Sequence, residues 1–98
     1  MKTGSILYNQ WGYEQTNIDF YLIVKKTEKS VIIRKLKNIN DYSSLTMTGK
    51  TNPGEIDLYK KPMRKFIKYD HNENPYIDMD YGICKLWNNE PMFYSLYA

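Results

Sequence analysis

Cysteine is almost absent: Cys84 stands alone among 98 residues. No disulfide can form within the chain and no cysteine cage can hold zinc, which suits a reducing cytoplasm. Histidine is equally scarce, with only His71. It could act as a general base, but a lone imidazole in the turn-forming stretch Asp70-His71-Asn72 has a plainer reading as a solvated turn residue. Long apolar runs are missing too. Ile6-Leu7-Tyr8, Tyr21-Leu22-Ile23-Val24 and Val31-Ile32-Ile33 fall far below the roughly 18 residues of a membrane span. The segment after Met1-Lys2-Thr3-Gly4-Ser5 is likewise too short for the core of a signal peptide. The chain has no glycine-rich phosphate loop, zinc-ligand spacing or nucleophile elbow. The expectation is therefore a non-enzymatic protein of the cytoplasm, away from membranes, with no catalytic residue, cofactor or metal site.

What is present is ordinary in hydrophobicity and unusual in aromatics. A chain with 42% hydrophobic and 26% charged residues reads as one globular domain, 1–98. Tyr, Trp and Phe supply 15% of it, ten of them Tyr, a residue suited to strands and to binding surfaces. The net charge of +3 is mild, but it is unevenly spread. Lys25, Lys26, Lys29, Arg34, Lys35 and Lys37 form one basic block, and Lys60, Lys61, Arg64, Lys65 and Lys68 a second. Asp70, Glu73, Asp78, Asp80 and Glu90 form an acidic block. These blocks could make separate faces or pair with one another.

Alternation at period two predicts strands over 5–9, 18–26, 30–36, 54–59, 63–69, 76–87 and 92–97. Ile18, Phe20, Leu22 and Val24 would face the core, and Thr27-Glu28-Lys29-Ser30 would turn a hairpin. Gly82 marks a bend or bulge. The polar stretch from about 38 to 53 reads as one long loop, with a turn of helix near Asn40 to Leu45 that Asn40 could cap. The fold class expected is mainly β: a small antiparallel, SH3-like barrel of six to seven short strands.

Two motifs point to relatives. Trp11-Gly12-Tyr13-Glu14-Gln15-Thr16-Asn17 followed by Asp19-Phe20-Tyr21, and the ending Leu86-Trp87-Asn88-Asn89-Glu90-Pro91 with Tyr94 and Tyr97-Ala98, resemble an uncharacterised family of short proteins carried by bacteriophages and plasmids. That family more often has Asp-Gly-Lys-Pro where this chain has Asn-Asn-Glu-Pro. The resemblance implies a mobile-element setting, in which small proteins often inhibit host defence or redirect host machinery. It implies no mechanism.

The candidate contact residues are Trp11, Tyr13, Gln15, Asn17, Tyr21, Lys60, Lys61, Arg64, Lys65, Lys68 and Trp87. Rings and amides in the 11–17 loop could stack on bases and read their edges. The plainer reading has Trp11 and Tyr13 capping the sheet while the amides bond loop backbone. The 60–69 segment interleaves cations with Phe66 and Tyr69, fit for phosphate contact or equally for a lysine-rich edge strand. Asp78 and Asp80, two apart, would share a strand face and could hold Mg²⁺, though an acidic surface is the simpler account. The expected function is binding: occupying nucleic acid or a nucleic-acid-handling host complex, such as a defence effector. Alternatives are a protein that sequesters a nucleotide signal in a closed aromatic pocket, a structural or assembly protein, and a small metal-dependent nuclease. A homodimer is open to any of the binding readings.

Overall fold

The computed structural model describes residues 1–12, 16–43 and 48–95. Tyr13 and Gln15 of the aromatic loop, and Tyr97-Ala98 of the second motif, lie outside them. The class is as expected, all-β and antiparallel, with nine strands among the described residues rather than six or seven. These are β1 (Ile6–Trp11), β2 (Asn17–Lys26), β3 (Ser30–Ser43), β4 (Thr48–Ile56), β5 (Met63–Phe66), β6 (Lys68–Tyr69), β7 (Pro75–Asp78), β8 (Ile83–Leu86) and β9 (Met92–Ser95). They pair in the order β6-β7-β8-β1-β2-β3-β4-β9, with β5 also on β3. The β2–β3 hairpin turns where the sequence places it. No Asn-Gly is needed, because Thr27 and Ser30 clamp the turn: Thr27 N donates to Ser30 O at 2.8 Å and their hydroxyls bond at 2.7 Å.

Both faces of this sheet carry a buried cluster, so the simple in–out alternation covers only half of the core. Leu7, Tyr21, Ile23, Val31, Ile33, Ile77 and Cys84 pack on the inner face, joined by Met63 and Ile67. Ile18, Phe20 and Leu36 pack on the outer face beneath Trp87, Met92 and Tyr94. Ladder pairing explains the division. Leu7 sits opposite Tyr21 and Ile23 opposite Ile33 on one side; Tyr8 sits opposite Phe20, and Phe20 opposite Leu36, on the other. A bulge between Ile23 and Lys25 then resets the alternation. The inner face is wrapped because β5 pairs with β3 and β6 with β7, with Ile67 alone between them. Closure into a barrel does not follow. Among the described residues the hydrogen-bonded sheet stays open, a curled sheet rather than a complete barrel.

The inner face carries two acids that folding keeps protonated. Burial is the main cause that pushes both the Tyr21 hydroxyl and the Cys84 thiol up to about 12. Above their ordinary values the unfolded chain loses protons that the folded chain retains. Their contribution to stability is therefore level below about pH 8 and falls as pH rises towards about 12. The urea midpoint should drop between about pH 8 and pH 11, and Cys84→Ala should flatten the early part of that fall.

The expected long loop at 38–53 is corrected by the structure. β3 continues to Ser43 and β4 begins at Thr48, with ladder pairs from Asn38–Pro53 to Ser43–Thr48. Polar residues hold strand here because their bonding partners are supplied from elsewhere. Asn38 Nδ2 donates to Ile18 O at 2.8 Å and to Thr51 Oγ1 at 2.9 Å. β9 pairs along the far edge of β4. Pro53 and Gly54 enter a strand because they fall at the bulge between the Leu36 and Asn38 pairs. The helical turn expected over 40–45 is not formed in the described part, where 40–43 are strand; 44–47 lie outside the described residues.

Tyr94 lies directly over Gly49. A Cβ at that glycine would come within 2.6 Å of both the Tyr94 ring and the Asp41 carbonyl. Gly49→Ala should therefore cost about 1–3 kcal/mol, read as a lower urea midpoint. Gly54→Ala, whose nearest neighbours lie at 3.0 and 3.1 Å, should cost less.

Three other boundaries move. β4 ends at Ile56, and residues 57–60 turn on Asp57, whose Oδ1 accepts from Tyr59 N at 3.1 Å. The expected strand 63–69 breaks at Ile67, which packs inward. The expected strand 76–87 is a hairpin, since Gly82 at φ 81° turns the chain and its carbonyl accepts from Met79 N at 3.0 Å. The 70–75 turn forms as expected: Asp70 Oδ1 accepts from the Asn72 and Asn74 amides. Those bonds, the Asn74 one foremost, hold its carboxyl below the usual range.

Candidate nucleic-acid interface

The aromatic residues chosen from the sequence are mostly engaged by the protein itself. Tyr21 is only 8% exposed and belongs to the inner core, so it leaves the contact set. Trp87 packs edge-on against Phe20 at 5.8 Å and donates Nε1 to Glu90 O at 2.8 Å. Its work is to cover the outer cluster. Trp11 keeps some exposure, but its Nε1 donates to Asp19 Oδ2 at 2.8 Å and its ring stacks on Tyr81 at 5.5 Å. Asn17 pairs with Trp11 at the head of β2. The capping reading describes Trp11 well; Tyr13 and Gln15 fall outside the described residues.

The basic residues are sorted by strand alternation. On β5, Lys65 turns to the inner side opposite Val31, whereas Arg64 stands on the outer side opposite Ile32. Lys68 is bonded to Asp78, and Lys60 and Lys61 stand exposed before β5. The loop and the basic segment are not one site. Asn17 and Ile23, whose row leads through Ile33 to Met63, lie six residues apart on β2, or roughly 20 Å at strand rise.

Pairing brings together what the sequence keeps apart: the two basic blocks. Lys25, Ile32 and Arg64 occupy one cross-strand row on the outer side, and Arg34 lies two residues along β3 on the same side. Lys25, Arg34 and Arg64 thus come from three neighbouring strands to one patch beside Phe66, which is 69% exposed. Among the described residues none of the three forms an ion pair with a carboxylate. Arg64 Nε donates to Ser30 Oγ at 3.3 Å. Arg34 Nε is buried without a hydrogen-bond partner among the described residues. Lys35 is excluded from the patch: it sits on the other face, 3.6 Å from Asp19 and over the Tyr21 ring.

Lys25 and Arg34 belong to the basic block visible in the sequence, but only the β2–β3 register, with its bulge after Ile23, and the β3–β5 register select them from it.

Round the same outer surface, three adjoining concavities of about 410, 620 and 410 Å³ all include Tyr8. They form a trough over β1, β8 and β7. Asp80 falls beyond the end of β7, so Asp78 and Asp80 do not share a strand face. No group of three or more metal-ligating side chains occurs among the described residues. Nor is any helix there long and apolar enough to cross a membrane. No family model, curated protein or solved structure matches the chain.

Proposed function

We propose that this protein is a non-catalytic, nucleic-acid-contacting protein that binds phosphates through Lys25, Arg34 and Arg64. The observation that carries the reading is the convergence of two separate basic blocks on one outer patch without compensating carboxylates. Lys60 and Lys61, at the start of the same β5 edge, extend it. Guanidinium groups beside an exposed ring are suited to phosphodiesters, and this role needs no chemistry. In keeping with the resemblance of its two motifs to phage and plasmid proteins, we place its action in the cytoplasm of a bacterial host. There it would occupy nucleic acid or a nucleic-acid-handling complex, as an inhibitor of host defence does.

The test is binding to short labelled oligonucleotides across a salt series, with a Lys25→Ala/Arg64→Ala variant alongside. Affinity should fall steeply with salt, and less steeply in the variant. Binding that ignores salt, or that the variant leaves unchanged, would remove this patch from consideration.

A further inference from the structure

We infer that the nucleic acid bound is single-stranded, with an unpaired base entering the trough over Tyr8 and Tyr76. This rests on the phosphate reading and goes beyond it by naming the form of the partner. The patch and the trough belong to one surface. Phe66 stands on the outer side of β5 because it pairs with Ser30, two residues from Ile32; Ile67 then turns into the core, and Lys68 returns to the outer side. Lys68 pairs with Tyr76, and with Ile77 and Cys84 turned inward, Tyr76 and Lys85 both face outward. Lys85 pairs in turn with Tyr8. Arg64, Phe66, Lys68, Tyr76, Lys85 and Tyr8 therefore follow one another round the outside, cations alternating with rings. Two strand steps from β5 and three ladder spacings make a track of about 25–30 Å. That suits the short end of the 4–16 nucleotides typical of small β-domain sites.

Charge separates the two ends of the track. The patch is uncompensated, but in the trough Lys68 is taken by Asp78, and Lys85 lies near enough to Asp70 to help hold its carboxyl down. A ring-lined hollow that carries Asp70 and Asp78 beside Lys85 is a poor phosphate site and a good base site. Its largest part, about 620 Å³, is of the size that takes small planar ligands. The described residues offer the hydroxyls of Tyr8 and Tyr76 and the Gln10 amide no hydrogen-bond partner, which leaves them for a base edge. A duplex keeps its bases stacked and paired, so it can use the patch but not the trough.

The experiment compares, by fluorescence anisotropy, a thymidine single strand of about 12 nucleotides, its duplex and an abasic strand of equal length, at about 50 and 200 mM salt. The single strand should bind at least about fivefold tighter than the other two. Tyr76→Leu, which keeps apolar packing, should remove about 5- to 100-fold of that affinity without changing the salt slope. Exposed Phe66→Ala, a variant safe for folding, should lower it in the same manner. Equal binding of all three probes would overturn the single-strand inference and leave the phosphate reading standing. A single-strand preference that both variants keep in full would also overturn it. Binding to none of the probes at low salt would overturn both readings together.

Discussion

Phe20→Ala is expected to cost about 3–5 kcal/mol, against a total of about 5–15 kcal/mol for a domain of this size. Phe20 is fully buried on the outer side of β2, opposite Tyr8 and Leu36, with the Trp87 ring edge-on at 5.8 Å. It lies where the curled sheet meets the layer made by β9 and the Trp87 segment, with Met92 and Tyr94 in the same cluster. Truncation leaves a cavity that two layers would have to close by moving together, so relaxation recovers little. Phe93, on the same layer but 66% exposed, is the control: its alanine variant should stay within about 0.5 kcal/mol of wild type. Urea unfolding followed by circular dichroism reads both. A Phe20→Ala loss below about 1 kcal/mol would mean that the outer cluster is not a true second core.

The second large effect concerns binding. Each phosphate contact to a single strand contributes about 0.7 to the slope of log affinity against log salt, which is roughly tenfold in affinity near 50 mM salt. Lys25→Ala/Arg64→Ala removes two of the three patch cations. Affinity should therefore fall about 100-fold there, and the slope should drop by about 1.4. Both residues are exposed, so the fold should tolerate the change, apart from the loss of the Arg64–Ser30 bond. Lys68→Ala is the informative contrast. Lys68 is already bonded to Asp78, a pairing that raises its own pKa, and its removal should shift the slope by much less. A Lys68→Ala effect equal to that of Arg64→Ala would mean that the acidic partner gives way on binding.

Local chemistry by itself determined a good deal of this protein. β-Branched and aromatic alternation marked β1, β2 and the first half of β3, and turn residues marked the hairpin at 27–30 and the Asp70 turn. Those features depend on neighbours within a few positions, which any reading of the chain can see. The two-sided core was not visible in that way. Alternation on β2 assigns the face of Ile18 and Phe20 to the core and the face of Asp19, Tyr21 and Ile23 to solvent. Only the packing of Met63, Ile77 and Cys84 from β5, β7 and β8 against Tyr21 and Ile23 makes that second face a core as well. The 38–53 stretch read as loop because Asn, Asp, Ser, Thr and Gly favour turns; Asn38 bonding across to Ile18 and Thr51, and β9 along the outer edge, turned it into strand.

The candidate site divides along the same line. Composition showed the two basic blocks and the surplus of rings, but Tyr21 and Trp87 became core because long-range packing outweighs the polar handle of an aromatic side chain. Which cations share a patch depends on the register of β5 against β3, thirty-odd residues apart in sequence. A slip of one residue would have sent Arg64 inward and Lys65 outward. That register is a property of the assembled sheet, and so, therefore, is the site.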